Sequence, residues 1–167
     1  MNILLTGKPG VGKSTVIQKV IGKIGIEGVS GFWSLEIRVK GRRVGFSIQT
    51  TDGAVGTLAH VDNTEGPRVG NYVVSTKDIE EIAIPALRHA RESSKIIIID
   101  EIAAMELQSP LFAPEVRRCL DTGRVVGTLQ MHSGTFQDEV REHPDTILLH
   151  ITLENRNSIP AKVFSLL

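Results

Sequence analysis

The chain has 167 residues, 41% hydrophobic and 23% charged, with 19 basic and 19 acidic side chains and a formal net charge of zero. These values predict one globular domain over residues 1–167 and give no reason to invoke disorder or a membrane span. The neutral charge provides no electrostatic footprint for nucleic acid or an anionic membrane. The sequence shows no secretory signal and a single cysteine, so we expect a cytoplasmic protein without disulfides.

The first elements predicted are a strand, a glycine-rich loop and a helix. "NILLT", residues 2–6, is a short apolar run that predicts a buried central strand. After the loop, apolar residues recur at three- and four-residue spacing up to Ile24, which indicates a helix. Gly25 stands where a glycine cap would end that helix.

Residues 32–49 alternate apolar and polar positions, which predicts an antiparallel hairpin with a two-residue turn at Lys40-Gly41. That turn predicts four cross-strand pairs, namely Ile37 with Val44, Leu35 with Phe46, Val39 with Arg42, and Arg38 with Arg43. Like charges in direct opposition repel, so we expect an anion beside the two arginines. Glu36 on the same face can supply it, and so can a bound phosphate.

The rest of the chain alternates strands and helices. Residues 62–72 are predicted to form an exposed loop, Ser75 and Asp78 resemble a capping box, and Pro85 is expected to kink the helix that follows. Cys119 continues an apolar helical stripe and is expected to be a buried thiol. The remaining predictions are strands at "KIIIIDE", "VVGTL" and "TILLHITL", helices near 110–121 and 135–142, and a short helix after Pro160.

Buried strands that alternate with helices predict an α/β fold. The sheet should be mainly parallel with helices on both faces, and the antiparallel hairpin should be added to it. In such folds, ligands bind outside the carboxyl ends of the strands. We therefore look for functional residues where the predicted strands end.

The most specific motif is "GKPGVGKST", which matches a P-loop from Gly7 to Ser14 between a predicted strand and a predicted helix. Its glycines let backbone N–H groups turn toward phosphate oxygens, and the helix N-terminus adds its positive dipole end. Lys13 should reach the β- and γ-phosphates, while the Ser14 hydroxyl should bind magnesium. The predicted nucleotide-binding residues here are Gly7, Lys8, Pro9, Gly10, Val11, Gly12, Lys13, Ser14 and Thr15.

A second motif, "IIIIDE", places two carboxylates at the end of a buried strand. Asp100 is positioned to hold Mg²⁺, and Glu101 can orient and deprotonate an attacking water. Such a pair alone is most often solvated, but its combination with a P-loop favours a catalytic site. The sequence therefore predicts Glu101 and Lys13 as catalytic residues and Ser14 and Asp100 as magnesium ligands.

Weaker candidates follow the other strands. Gln130 and His132 can lie near the γ-phosphate, although each also fits an ordinary surface turn, and Asn155 and Arg156 can lie near a base. A cationic finger that stabilises developing charge is a further expectation. The candidates for it, between which the sequence does not choose, are Lys8, Arg38, Arg43 and Arg68.

The chain resembles the small P-loop nucleoside-triphosphatases that include the cancer-related nucleoside-triphosphatase and its thermophile relatives. The stretches that carry the resemblance are "TGKPGVGKST", "GFWSLEIRVKGRRVGF", "GPRVGNY", "IAIPAL", "IIIIDEIAAMEL" and "ENRN". The resemblance implies a RecA-like P-loop fold and slow Mg²⁺-dependent hydrolysis with loose base selectivity. It also implies that Asn155 and Arg156 lie near the nucleobase. Ala103-Ala104 and Asn157 depart from the family pattern, so any role of those segments is open.

Three functions follow as hypotheses. The leading one is hydrolysis of several nucleoside triphosphates, because Glu101 is aimed at water and no Asn-Lys-x-Asp motif selects guanine. The second is a kinase that uses the 62–72 loop as a lid, and the third is a nucleotide-dependent switch. The nucleotide is the only partner that the sequence indicates. The sequence leaves the oligomeric state open, with a monomer as one option.

Overall fold

Nine strands form one sheet in the computed structural model, which describes all 167 residues. The strands are β1 (Asn2–Thr6), β2 (Val29–Val39), β3 (Arg42–Thr50), β4 (Val55–His60), β5 (Arg68–Val69), β6 (Tyr72–Val74), β7 (Ile96–Ile102), β8 (Val125–Leu129) and β9 (Thr146–His150). The helices are α1 (Lys13–Ile24), α2 (Thr76–Asp78), α3 (Ile84–Glu92), α4 (Phe112–Leu120), α5 (Thr135–Arg141) and α6 (Ile159–Leu166). None of the helices has both the length and the apolar character needed to cross a membrane.

The strand order is β5-β6-β4-β3-β2-β7-β8-β1-β9. In this order, the neighbours in the half β2-β7-β8-β1-β9 pair in parallel. The neighbours in the other half, β5-β6-β4-β3-β2, pair antiparallel. The predicted α/β architecture is confirmed, and the antiparallel part is larger than one hairpin. Since β1, β7 and β8 are parallel neighbours, their carboxyl ends meet at one edge of the sheet.

Helices cover the two faces of the sheet and bury two separate cores. On one face, α1 and α6 pack apolar residues such as Ile17 and Val163 against β1, β8 and β9. On the other face, α3 and α4 cover the larger core, in which Phe112 meets Phe32 of β2 edge to face with ring centroids 6.1 Å apart. Both cores contain β1 residues, so the strand that precedes the P-loop is buried on both sides, as predicted.

The hairpin of β2 and β3 has the predicted turn, but only part of the predicted register. Lys40 and Gly41 both have positive φ, as a two-residue hairpin turn requires. The pairs Val39–Arg42 and Arg38–Arg43 form as predicted, but a bulge at Val44 shifts all later pairs by one residue. The predicted partners of Ile37 and Leu35 are therefore wrong, and the observed pairs are Ile37–Gly45, Leu35–Ser47 and Glu36–Phe46. Because this end of the hairpin is largely exposed, its apolar pattern specifies register only weakly.

The segment predicted as the exposed loop 62–72 contains regular structure. Arg68–Val69 forms β5, which pairs with β6 at the edge of the sheet, and β6 pairs with β4. Many side chains in 61–70 are exposed, as expected. Two-residue strands are too short for alternation to show in the sequence, which explains why the pattern predicted only a loop.

The helical region that begins at Thr76 has the predicted cap. The Ser75 side chain accepts a hydrogen bond of 3.3 Å from the Asp78 N–H, while the Asp78 carboxylate accepts from Thr57 N instead of closing a reciprocal capping box. A π-helical turn, Ile79–Ala83, separates α2 from α3, and Pro85 lies in the first turn of α3. The irregularity therefore lies just before the proline, where the sequence predicted a kink.

Ser75→Ala should lower the free energy of unfolding by about 1 kcal/mol, because it removes the acceptor for an N–H group at the helix start. Ser75→Asn is the matched control, since asparagine caps about as well as serine. Urea unfolding followed by circular dichroism measures both variants. Equal losses for alanine and asparagine would show that the cap does not contribute.

Cys119 is fully buried in the larger core, as predicted, and burial raises the pKa of its thiol to about 12. Glu115 in the same helix is also buried, but its carboxylate receives hydrogen bonds from Arg91 at 2.9 Å and Arg118 at 3.1 Å. Burial of Cys119 is therefore explained by core packing, and burial of Glu115 is explained by its ion pairs with the two arginines.

Candidate active site

The P-loop connects the carboxyl end of β1 to the first turn of α1. Gly10 and Gly12 have φ values of 77° and 105°, a region that side chains disfavour, so the loop conformation requires glycine at these points. The first N–H groups of α1 have no acceptor within the helix and lie at its positive dipole end. Backbone N–H groups at a helix N-terminus can bind an anion, so the loop has the conformation that the predicted role requires.

Lys13 joins the loop to the end of β7. Its Nζ donates to the Gly7 carbonyl at 3.2 Å and lies 3.6 Å from Glu101 Oε1. The side chain is only 12% exposed, so this ammonium group is the cation held between the P-loop and the acidic strand end. The structure thus brings together the two residues predicted to be catalytic.

Asp100 is almost fully buried at the end of β7. Burial raises the pKa of its carboxyl, while the hydroxyls of Thr128 and Ser14 and the charge of Lys13 lower that pKa. Its Oδ1 accepts from Thr128 Oγ1 at 2.6 Å, whereas Oδ2 has no hydrogen-bond partner, although the Ser14 hydroxyl is close. A carboxylate oxygen without a partner beside a hydroxyl is the oxygen-rich donor set that magnesium prefers. The residues therefore fit the predicted metal site.

Glu101 reaches the same space from the next position of β7. Its side chain is 29% exposed, and burial of the carboxyl raises its pKa while the charge of Lys13 lowers that pKa. The peptide bond that joins Asp100 and Glu101 is cis. A carboxylate that is partly shielded but open on one side can accept a proton from a water beside a bound phosphate.

A cleft of about 230 Å³ lies beside the P-loop, lined by Gly12, Thr15, Val16, Lys19, Arg156 and Asn157. Arg156 Nη1 lies 3.4 Å from the Val11 carbonyl, so this side chain lies beside the P-loop, and its contact with a nucleotide stays a prediction. The Asn155 side chain instead closes its own turn, accepting from Thr152 N at 2.8 Å and donating to His150 O at 2.9 Å. Lys19 and Asn157 line the cleft although the sequence did not predict them as site residues.

The hairpin arginines proposed as fingers lie away from the P-loop. Arg38 is five residues beyond Trp33, which pairs with Asp100, so its Cα lies about 16 Å farther along the strand. Arg38 and Arg43 both hydrogen-bond Glu36, at 2.8 and 3.1 Å, which is the simpler of the two explanations for this pair.

The other two finger candidates differ in their position. Arg68 lies on the edge strand β5, seven strand positions from β1. Lys8 lies in the P-loop itself and is exposed. Of the four cations, Lys8 alone is part of the phosphate-binding loop.

Gln130 follows β8 and connects two segments at the edge of the site. Its Oε1 accepts from Ala104 N at 3.1 Å and from Gln137 Nε2 at 3.2 Å. His132 is exposed in the following turn. Gln130 thus fixes the Ala103-Ala104 segment, and its side chain makes no hydrogen bond to the P-loop.

Glu106 is a third acidic residue near the site, and the sequence did not predict it. It lies in a one-turn 3₁₀ helix, Glu106–Gln108, just after β7, and is 3% exposed. Burial raises the pKa of its carboxyl well above the usual value, and the charges of Glu101 and Asp100 raise it further. Its Oε2 has no hydrogen-bond partner. A lone glutamate in a short turn gives no periodic signal by which a sequence pattern could identify it.

Comparison with known proteins agrees with this geometry. Residues 2–164 match the model of the NTPase family. The nucleoside-triphosphatase THEP1 of Thermotoga sp. (strain RQ2) is 39% identical over 168 residues, covering 100% of this chain and 95% of the relative. The cancer-related nucleoside-triphosphatase of Homo sapiens is also 39% identical, covering 95% of this chain and 92% of the relative. The chain belongs to the nucleoside-triphosphatase family.

Solved structures of family members share the fold. The crystal structure of THEP1 from the hyperthermophile Aquifex aeolicus superposes with a TM-score of 0.90 at 38% identity, over 100% of this chain and 99% of that chain. The solution structure of the human cancer-related nucleoside triphosphatase gives a TM-score of 0.82 at 38% identity, over 98% and 95% of the two chains. The predicted family and the P-loop nucleoside-triphosphatase fold are confirmed.

Proposed function

We propose that this family member hydrolyses nucleoside triphosphates to nucleoside diphosphate and phosphate in a magnesium-dependent reaction. The observation that carries the proposal is the position of Lys13 Nζ, between the Gly7 carbonyl of the P-loop and the Glu101 carboxylate. The Lys13 ammonium group thus lies close to both the P-loop and the carboxylate that we propose as the general base, which supports the proposal. We also propose that the protein acts in the cytoplasm, with a nucleoside triphosphate as its substrate.

In the proposed reaction, the P-loop N–H groups and Lys13 hold the γ-phosphate. A water attacks phosphorus in line with the bridging oxygen, its proton passes to Glu101, and the bond from phosphorus to that bridging oxygen breaks as the diphosphate leaves. Magnesium, held by Ser14 and Asp100, would neutralise charge on the phosphate oxygens. This chain's residues therefore supply positioning, charge stabilisation and the proton acceptor.

We further propose loose base selectivity and slow turnover. The cleft beside the P-loop is small and is lined mainly by exposed, flexible side chains such as Lys19 and Arg156, which gives few fixed donors and acceptors to read a base. An arginine finger is worth ~10³ to 10⁵ in rate. Arg38, Arg43 and Arg68 lie away from the loop, so we expect no arginine finger from these positions, and turnover should be slow unless Lys8 supplies the cation.

The test is phosphate release from ATP, GTP, CTP and UTP, each with magnesium and with excess chelator. We expect release from several nucleotides, at least ~100-fold faster with magnesium, and loss of release in Lys13→Ala because the phosphate loses its cation. Glu139→Gln, at an exposed ion pair with Arg117, is the control and should match the parent protein. Nucleotide binding without phosphate release would contradict hydrolysis.

The kinase and switch alternatives have separate signatures. A kinase would consume ATP only when an acceptor is supplied, and a switch would bind nucleotide without turnover. The segment that would have formed a kinase lid includes β5 and lies at the sheet edge farthest from β9, which does not favour closure over the P-loop. Hydrolysis is therefore the function that the geometry supports best.

A further inference from the structure

Thr128 is a fully buried polar residue in the strand β8. The other four residues of this strand, "VVGTL", are apolar or glycine, and all five are buried. Valine has almost the same shape as threonine and would be buried there without a hydroxyl to remove from water. Packing within the sheet alone therefore does not explain a threonine at this position.

The Thr128 hydroxyl has one hydrogen-bond partner, the carboxylate of Asp100. Thr128 Oγ1 donates to Asp100 Oδ1 at 2.6 Å, a length typical of an O–H group that donates to an ionised carboxylate. Asp100 is itself only 1% exposed, so water does not compete for this bond. The contact is therefore a direct and shielded link between β8 and the predicted metal ligand.

The register of β7 and β8 produces this contact. Ile99 of β7 pairs with Gly127 of β8, and the two strands are parallel. Asp100 and Thr128 are the next residues of the two strands. The residues two positions earlier in each strand belong to the core that α1 covers, and side chains alternate along a strand. Asp100 and Thr128 therefore both face α1, the helix that carries Ser14 in its first turn.

The hydrogen bond distinguishes the two oxygens of the Asp100 carboxylate. Oδ1 accepts from Thr128, whereas Oδ2 has no hydrogen-bond partner. A carboxylate rotates easily about the bond that joins it to Cβ, and a donor held in a neighbouring strand limits that rotation. The Thr128 hydroxyl therefore determines which oxygen of Asp100 is available as a metal ligand.

We propose that Thr128 is a positioning residue for the magnesium site: its hydroxyl holds Asp100 Oδ1, so that the carboxylate keeps one orientation and offers Oδ2 to the metal. This role rests on the proposed magnesium-dependent hydrolysis and acts only through Asp100. It does not require contact between Thr128 and the nucleotide.

Thr128→Val tests this role, because it removes the hydroxyl and nearly keeps the shape of the side chain. The probe is Mn²⁺, which suits the same oxygen ligands as magnesium, and electron paramagnetic resonance measures its binding in the presence of a non-hydrolysable ATP analogue. We expect Mn²⁺ affinity to fall about 10- to 100-fold, the range for losing the hydrogen-bonded partner of a metal ligand. Thr128→Ser keeps the hydroxyl and should retain Mn²⁺ affinity within about threefold of the parent.

Binding of the analogue in excess chelator separates the metal site from the P-loop. In Thr128→Val this affinity should stay within about twofold of the parent, because Lys13 and the loop are unchanged. With metal present, the magnesium concentration that gives half-maximal phosphate release should rise at least ~10-fold in the same variant.

Thr50→Val is the matched control. Thr50 is also a buried strand threonine whose hydroxyl donates to an aspartate, Asp52, but it lies in β3, three strands from β8. This variant should lower the melting temperature and leave Mn²⁺ affinity and phosphate release unchanged. Thermal unfolding of every variant identifies one that fails to fold, and Thr128→Ala takes the place of Thr128→Val in that case, with the same expected fall.

Parent-like Mn²⁺ affinity in Thr128→Val would contradict the proposal, as would an equal fall in Thr128→Ser. A loss of analogue affinity in chelator as large as the loss of Mn²⁺ affinity would also contradict it, because the damage would then extend to the P-loop. The two binding measurements need no turnover. Phosphate release by the parent protein tests hydrolysis itself, so failure of that function is recognised separately.

Discussion

Glu101→Gln is expected to lower phosphate release at least ~100-fold, the range for losing a general base, while nucleotide affinity stays within about twofold. Glutamine has nearly the shape of glutamate but cannot accept the proton of the attacking water. In the proposed reaction, the P-loop and Lys13 hold the phosphate, and the substitution leaves both in place. Single-turnover phosphate release and fluorescence titration with a labelled nucleotide measure the two quantities.

The ion pair between Lys13 and Glu101 allows two effects of this substitution to be distinguished. Its Nζ lies 3.6 Å from the Glu101 carboxylate, so the substitution also removes an ion pair. If loss of that ion pair alone mattered, affinity for the triphosphate would change as well as the rate. Turnover equal to that of the parent protein would exclude Glu101 from the mechanism.

Phe112→Ala is expected to lower the free energy of unfolding by about 3–5 kcal/mol. The Phe112 ring is fully buried in the larger core and packs edge to face on Phe32, so truncation removes apolar burial and leaves a cavity between α4 and the sheet. For a domain of this size, the melting temperature should fall by roughly 6 to 20 °C. Guanidinium unfolding and calorimetry measure both quantities.

Phe164→Ala in α6 is the matched control, because this ring is 49% exposed and its truncation leaves no internal cavity. We expect it to cost less than about 1 kcal/mol, apart from its cation contact with Lys23. A loss for Phe112→Ala as small as that of Phe164→Ala would show that the surrounding core collapses fully around the missing ring.

The central part of the fold could be predicted because burial on both faces leaves a strong signal. "NILLT" and "IIIID" are continuous apolar runs, and the sheet places both in its interior. The hairpin register beyond Val44 could not be predicted, since a bulge inserts one residue without changing local composition. Strands β5 and β6 form a local hairpin that pairs with β4, but they have only two and three residues, so alternation does not show in the sequence.

The site residues also divide into those that the sequence could predict and those that it could not. The P-loop and Asp100-Glu101 were predictable because their chemistry depends on residue type at fixed local spacing, and the structure brings these segments together through parallel pairing. Lys19 lines the cleft because it lies one helical turn after Thr15 in α1, Asn157 lines it through tertiary packing, and Glu106 is buried in the turn after β7. Nothing in their local sequence distinguishes them from ordinary turn or surface residues.

The position of β1 in the sheet has a consequence for synthesis on the ribosome. β1 precedes the P-loop, but its hydrogen-bonding partners are β8 and β9, with Leu4 paired to Gly127 and Leu148. At about 5–20 residues per second, translation needs on the order of 6 to 30 s after β1 emerges to supply these partners. Until then, the apolar β1 segment has no sheet to join. A nascent chain should therefore gain the ability to bind nucleotide only near the end of its translation, although the phosphate-binding loop is among the first segments made.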